Sequence, residues 1–190
     1  MKKWMFMALV AFQFSHAQES SSVLDSKKNE VKFDVLSAIA FSKFHISYER
    51  FLNKDWSVGI SGGIQESNKN KEDFQNGYDR SLPEYEVSPF VRYALSKSVK
   101  NFYFAEVFVS ANGGKYREIK RFDDGFGNGY YDSQEDNYSD LAIGAALGYK
   151  LYLKEKFGLE LVIGMGKNLF NTDKSPEVIP HVGLNFGYRF

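Results

Sequence analysis

The chain has 190 residues, a length that suits a single domain. It carries 24 basic and 24 acidic side chains, so it lacks the strong basic field that attracts nucleic acid. It contains no cysteine, which excludes disulfide bonds, thiol catalysis and thiolate metal sites.

The first residues have the features of a cleavable export signal. Two lysines precede an apolar run over residues 4–14, and the tripeptide SHA at residues 15–17 supplies the small residues of a cleavage site. The run is shorter than the roughly 20 apolar residues that span a bilayer. We therefore expect cleavage between Ala17 and Gln18, which leaves 22 basic against 24 acidic side chains. The predicted organisation is a signal peptide over 1–17, a short periplasmic segment over 18–29 and one β-barrel domain over 30–190.

From about residue 30 the pattern alternates between apolar and polar or small residues, as expected of β-strands. Charged residues would interrupt every helical stripe, and most runs are close to the 9–11 residues that a tilted strand needs to cross a bilayer. Eight strands are predicted: KFDVLSAIA (32–40), FHISYERFL (44–52), WSVGISGGI (56–64), YEVSPFVRYAL (85–95), FYFAEVFVSA (102–111), LAIGAALGYKLYL (141–153), FGLELVIGMG (157–166) and HVGLNFGYRF (181–190).

Two closed all-β folds fit such strands: a soluble barrel with an apolar interior, or a membrane barrel with an apolar outer face. One face of the strands is a continuous set of bulky apolar residues without charge, and the other mixes glycine, alanine, serine and charged residues. The sequence therefore predicts an eight-stranded antiparallel transmembrane up-and-down β-barrel with periplasmic termini. Its mean hydropathy of −0.39 does not argue against a barrel, because alternation cancels in the average.

The connections and the strand ends agree with this fold. Short links alternate with long polar ones, as expected of periplasmic turns and outer loops. The short links are 52–55, 95–101 and 154–156, and the long ones are 66–83, 116–137 and 167–178. Aromatic residues near the short-turn ends predict a membrane-interface girdle: Trp56, Tyr93, Tyr103, Tyr149 and Tyr188. Pro89 lacks a ladder donor, and we predict a local bulge there.

Six charged residues of the inward face lie within a few positions of the short turns, and they balance to zero. They are Glu49, Arg92, Glu106, Lys150, Glu160 and Arg189. The interior of an eight-stranded barrel is only wide enough for side chains, and buried charges require partners. We therefore predict a lumenal salt-bridge network that plugs the periplasmic half. The alternative is a gate or narrow path for ions or protons through the same groups.

No catalytic, cofactor or metal site is predicted. His45 and Ser47 share a face, but an activated serine also needs a base that a third group orients. His181 is interpreted as a polar filler of the lumen. Acidic residues near the outer hairpin could gather a calcium ion, although their spacing fits no standard loop. These are Asp123, Asp124, Asp132, Glu135 and Asp136, and the tyrosines beside them that could contact a partner or a sugar are Tyr130, Tyr131 and Tyr138. The simplest interpretation is a solvated hairpin beyond the membrane.

The combination of segments resembles the small eight-stranded, OmpA/OmpX-like outer membrane β-barrels, a porin-like class of Gram-negative cell envelopes. The segments are the signal ending in SHA, the hairpin SYERFLNKDWSVG, the strand SPFVRYAL and the terminal GLNFGYRF. The resemblance implies a location in the outer membrane. It also implies that Phe186, Tyr188 and Phe190 form a signal for the barrel assembly machinery.

From the residues and the resemblance together we expect a monomeric, non-enzymatic barrel in outer membrane lipid. Its plugged lumen would support envelope integrity, or its loops over 66–83 and 116–137 would bind an extracellular ligand. A narrow channel for ions or small solutes is the alternative, and a lipid-modifying enzyme is the third.

Overall fold

The computed structural model describes residues 26–123 and 129–190, where the chain forms a closed barrel. Each strand pairs antiparallel with its sequence neighbours, and β1 closes the barrel by pairing with β8. The elements in order are β1 Asn29–Asp34, α1 Val35–Phe41, β2 Lys43–Phe51, β3 Trp56–Gln65, α2 Asn68–Gln75, β4 Ser81–Ala94, β5 Asn101–Asp123, β6 Gly129–Leu153, β7 Phe157–Asn168 and β8 Val178–Arg189. The predicted eight-stranded antiparallel barrel is confirmed. The predicted cleavage point, Ala17 and Gln18, and the acidic Asp124 lie outside the described residues.

The two faces of the strands divide as the alternation predicts. Outward side chains are apolar and exposed, and inward ones are polar, small or aromatic and buried. Strand β8 shows the pattern, because Phe186 and Tyr188 face outward while Asn185 and Arg189 are buried inside. Neither helix in the described ranges is long and apolar enough to cross a membrane.

The first strand is shorter than predicted. The expected strand over 32–40 ends at Asp34, and Val35–Phe41 forms a helix instead. The Asp34 side chain accepts a hydrogen bond from the Ser37 N–H at 3.1 Å and caps the helix N-terminus. Ser42 ends the helix in the left-handed region with φ 49°. The helix forms the connection between β1 and β2.

The bulge predicted at Pro89 is wrong. Pro89 stands opposite Ile60 of β3, and the register between β4 and β5 is the same on both sides of it. The register shift lies instead between Pro83 and Tyr85, where Glu84 is the extra residue. A missing donor at Pro89 therefore interrupts the ladder without adding a residue to the strand.

Aromatic side chains pair across strands near the ends that carry the short turns. The ring centroids of Trp56 and Tyr93 are 4.9 Å apart, and those of Tyr103 and Tyr149 are 4.8 Å apart. Tyr188 lies 5.6 Å from Phe157. Four of the five predicted girdle residues are exposed on the outward face, and Tyr149 is half-buried there. Such a band suits an interface between lipid and water.

The opposite end of the barrel is extended by structure that the sequence suggested only as loops. Strands β5 and β6 pair without interruption as far as Asp123 and Gly129, so most of the predicted loop over 116–137 is a two-stranded ribbon. Helix α2 lies within the predicted loop over 66–83 and buries Phe74. The guanidinium of Arg117 on β5 lies 5.0 Å from the Phe74 ring centroid, which packs α2 against the ribbon.

The connection between β7 and β8 is organised by one carboxylate just outside the apolar belt. Asp140 Oδ1 accepts hydrogen bonds from the N–H groups of Leu141 and Phe170, at 2.7 and 3.0 Å. Its Oδ2 accepts the Asn171 N–H at 2.9 Å and the Ser175 hydroxyl at 2.6 Å. Burial opposes ionisation, but the hydrogen bonds from Ser175 and from the backbone outweigh it and lower the pKa of Asp140.

Replacing Asp140 by asparagine is expected to speed hydrogen exchange at the amides of Phe170 and Asn171, measured by NMR. In the unaltered protein the stabilisation from the carboxylate is present above the ordinary aspartate pKa of about 3.9. It is lost as the pH falls through the lowered pKa of the folded state. Asp132→Asn on the exposed ribbon is the matched control and should leave both amides unchanged. Equal exchange in Asp140→Asn and the unaltered protein would contradict the assignment.

Candidate functional site

The barrel interior holds a cluster of buried charges in the half that carries the short turns. Four carboxylates and four cations contribute, so the cluster is formally neutral. The carboxylates are Glu30, Glu49, Glu106 and Glu160, and the cations are Lys32, Arg92, Lys150 and Arg189; all are at most 5% exposed. We call this set the lumenal charge cluster.

The strand registers place these side chains together. Arg92 of β4 stands directly opposite Glu106 of β5, and Lys150 of β6 stands opposite Glu160 of β7. Glu30 of β1 is paired in register with Glu49 on one side and Arg189 on the other. Alternation then turns every one of them toward the barrel axis, where they fill the space between the strands.

Arg92 contacts three carboxylates at once. Its Nε donates to Glu106, and Nη1 donates to Glu49 at 3.0 Å and to Glu160 at 2.7 Å. Nη2 donates to the second oxygen of Glu160 at 3.0 Å. The guanidinium also packs on aromatic rings, 4.6 Å from the centroid of Phe90 and 4.3 Å from that of Phe104. A planar guanidinium suits this arrangement because it donates several hydrogen bonds in fixed directions.

Two lysines complete the centre of the cluster. Lys150 Nζ lies 2.7 Å from Glu49, 2.9 Å from Glu160 and 3.2 Å from Glu30. Lys32 Nζ lies 2.8 Å from Glu49 and 3.1 Å from Glu160. Each lysine thus bridges acids of different strands. Because an isolated buried charge costs several kcal/mol, this mutual pairing is what makes the polar lumen tolerable.

Five of the six charged residues singled out from the sequence form ion pairs with one another in this cluster: Glu49, Arg92, Glu106, Lys150 and Glu160. Arg189 is also buried in the lumen, but the carboxylate partner expected for it is wrong. Its Nε donates to the carbonyl oxygen of Lys27 at 2.7 Å, and its guanidinium lies 3.7 Å from the ring centroid of Phe51. The strand register places it opposite Glu30, yet it reaches past that residue toward the end of the barrel.

Two members of the cluster, and one tyrosine that contacts it, were missed from the sequence. Glu30 and Lys32 lie on β1, whose predicted span began too late and ran into the helix. The alternation in NEVKFD, residues 29–34, was the available signal, since it places both on one face. Tyr152 donates its hydroxyl to Glu30 and is fully buried.

The histidines lie toward the other end of the lumen. His45 Nε2 is 3.2 Å from Glu86, and no hydrogen bond joins His45 to Ser47 within the described ranges. His181 stacks on Phe108 with centroids 4.5 Å apart, and its Nε2 is 3.0 Å from a Glu106 oxygen. Each histidine therefore faces a carboxylate. Because His45 makes no hydrogen bond to Ser47, the described residues do not form the arrangement of serine, base and orienting group that an activated nucleophile needs.

The outer ribbon shows no metal centre in its described part. Glu135 pairs with Arg117 at 2.8 Å, while Asp132 and Asp136 each accept the following backbone N–H at 2.8 Å. Within the described residues no group of three or more acidic or histidine side chains is arranged to hold a metal. Among the tyrosines, Tyr130 and Tyr131 are exposed. The expectation that Tyr138 is available for contact is wrong, because its side chain points inward and is buried.

The closed barrel with an apolar outer belt and a polar lumen is the eight-stranded antiparallel fold of small outer membrane proteins. The chain belongs to the family described as "Protein of unknown function (DUF3575)", whose model matches residues 4–179. None of the curated proteins matches this chain.

Solved structures share the architecture at low sequence identity. The N-terminal β-barrel domain of Pseudomonas aeruginosa OprF is 13% identical with a TM-score of 0.54, over 86% of this chain and 96% of that one. Ail, the attachment invasion locus protein of Yersinia pestis, is 14% identical with a TM-score of 0.46, over 86% and 99%. The likeness to the OprF domain establishes the fold.

Proposed function

We propose that this protein is a non-enzymatic outer membrane barrel with a closed lumen, which supports the envelope and presents its β5–β6 ribbon at the cell surface. The lumenal charge cluster is the observation that carries the proposal. Side chains from six strands meet at hydrogen-bond distance across the interior, and each is almost fully shielded from solvent. A path for ions would require these charges to separate and to expose themselves to water.

The outer surface supports a membrane location. Large apolar side chains are exposed on every strand, including Ile60, Val107 and Leu161, at about half their full area. A water-soluble monomer seldom exposes contiguous apolar patches larger than a few hundred Å². The aromatic girdle beside the short turns fits the same placement. With those turns on the periplasmic side, the ribbon projects outward from the cell.

The last strand supports assembly by the barrel machinery. Phe186, Tyr188 and Phe190 are each exposed on the lipid-facing side. Phe186 stacks on Phe157 of β7 with ring centroids 5.8 Å apart, and Tyr188 packs against the same ring in a tilted arrangement at 5.6 Å. We propose that this outward aromatic series is the element the machinery recognises before the barrel closes.

Planar-bilayer recording tests the closed lumen. Purified protein is expected to give no large, steady single-channel conductance, because the cluster fills the lumen. The matched variant Arg92→Ser/Glu106→Ser removes one cross-strand pair without changing the net charge and should raise the conductance. A charge-neutral double replacement at the exposed ribbon pair, Glu118→Ser/Lys120→Ser, should not. A steady conductance from the unaltered protein, unchanged by the lumenal replacement, would favour the channel.

A further inference from the structure

A cavity of about 380 Å³ lies at the mouth of the barrel that carries the short turns. It is bounded by the β2–β3 turn over 52–55, by Ser98 and Val99 of the β4–β5 link, and by Arg92 of the lumenal charge cluster. Its volume falls within the roughly 300–1,000 Å³ that is usual for small-molecule sites. The cavity is therefore large enough for an organic ligand, whereas the outer lumen beside His45 and His181 holds only about 40 Å³.

One wall of this cavity is apolar. Phe51, Phe102 and Phe104 line it and belong to the buried apolar core, against which Ala94 and Val99 pack. Three aromatic rings that border one space offer apolar surface for contact with an apolar or aromatic group. A small inorganic anion would leave this wall without a contact.

The other wall carries positive charge. The charged lining residues are the cations Lys28, Lys54, Arg92 and Arg189 and the single acid Asp55. Three glutamates already pair with Arg92, so its charge is satisfied inside the cluster.

Arg189 has unused hydrogen-bonding capacity. Its Nε is bonded to the Lys27 carbonyl, whereas Nη1 and Nη2 have no hydrogen-bond partner within the described residues. No carboxylate of those residues lies within ion-pair distance of it, although the side chain is 5% exposed. A buried guanidinium normally has an anionic partner, and its two terminal nitrogens match the two oxygens of a carboxylate.

We infer that this cavity is a binding site for an organic monocarboxylate with an apolar or aromatic tail, entering from the periplasmic side. The carboxylate receives hydrogen bonds from the terminal nitrogens of Arg189, with Lys28 adding positive charge. The tail packs on the rings of Phe51, Phe102 and Phe104. A neutral apolar molecule would leave the guanidinium without a partner, and a cation would be repelled by it.

Titration with 4-phenylbutyrate tests the site, using the full-length mature chain in lipid nanodiscs. Binding is followed by NMR at the Val99 methyl groups and the Arg189 Nε–H. We expect saturable shifts with 4-phenylbutyrate. Binding of 4-phenylbutan-1-ol, which has the same tail without charge, should be weaker by roughly tenfold or more, because a charge-assisted hydrogen bond is lost. No saturable shift is expected with 4-phenylbutylamine.

Two variants locate the binding. Arg189→Gln should weaken 4-phenylbutyrate binding by roughly tenfold, and Arg121→Gln, the same change on the exposed ribbon, should leave it unchanged. Val99→Trp fills the cavity from a connection outside the strands and should abolish the shift of the Arg189 Nε–H, the probe that this variant keeps, even if Arg189→Gln does not fold. Shifts that do not saturate, or equal binding of the acid and the alcohol, would overturn the inference. The conductance result has no bearing on this outcome, so the two proposals fail separately.

Discussion

Replacing Arg92 by methionine is expected to lower the free energy of unfolding by about 3–5 kcal/mol, because the change breaks a buried charge cluster from one side. Three carboxylates lose a hydrogen-bond donor at once: Glu49, Glu106 and Glu160. The lysines that remain compensate Glu49 and Glu160. Among the described residues, Glu106 keeps only the contact with His181, at 3.0 Å. Urea unfolding in lipid vesicles, followed by tryptophan fluorescence and by gel mobility of unheated samples, measures the change.

Two further variants show whether uncompensated charge is the cause. Arg121→Met removes an arginine from the exposed ribbon and should stay within about 0.5 kcal/mol of the unaltered protein. Adding Glu106→Gln to Arg92→Met should recover part of the loss, because the least compensated carboxylate is then neutral. If Arg92→Met unfolds at the same urea concentration as the Arg121→Met control, the cluster does not depend on charge pairing.

Much of the lumenal charge cluster could be predicted, because the position of a residue in a β-barrel strand determines how far along the barrel axis its side chain lies. Alternation fixes the direction of each side chain, and short turns fix the register of neighbouring strands. Alternation places Arg92 and Glu106 on the inward face, and the observed register sets them opposite each other. The same reasoning pairs Lys150 with Glu160 across the turn at 154–156.

A helix replaces part of the first predicted strand, and the prediction is wrong there. Residues 35–41 contain apolar side chains at consecutive positions, and Asp34 captures a backbone N–H that a strand would have used otherwise. Because the predicted strand was shifted toward the helix, Glu30 and Lys32 fell near or outside its start. The contacts of the Arg189 side chain could not be predicted either. A long side chain opposite a carboxylate can instead pack on an aromatic ring and donate to a carbonyl oxygen, as Arg189 does.

The outer half was less predictable because its polarity resembles that of a loop. In the ribbon, both faces meet water, so alternation between apolar and polar residues is lost while the backbone pairing continues. Helix α2 is likewise almost entirely polar, and its position depends on the single buried side chain of Phe74. Tertiary contact with Arg117, rather than any periodic pattern, fixes it.

Replacing Gly148 by alanine is expected to lower the free energy of unfolding by about 1–3 kcal/mol, the usual cost of overpacking. Gly148 of β6 is paired in register with Phe104 of β5, whose ring lies across the glycine. An added Cβ would lie 2.2 Å from the ring Cζ and 2.7 Å from the Leu161 carbonyl oxygen. The same ring supports Arg92, so a shifted Phe104 disturbs the charge cluster as well. The urea measurement used for Arg92 applies without change.

Gly62→Ala is the matched control, because the nearest atom to its added Cβ is the Glu86 carbonyl oxygen at 3.8 Å, an ordinary contact. That variant should remain within about 0.5 kcal/mol of the unaltered protein. Combining Gly148→Ala with Phe104→Leu should cost less than the sum of the two single changes, since the smaller side chain relieves the contact. Strict additivity would mean that the ring and the glycine are energetically independent. Coupling would instead explain the inward face rich in glycine and alanine, because the large rings and charges of neighbouring strands need that space.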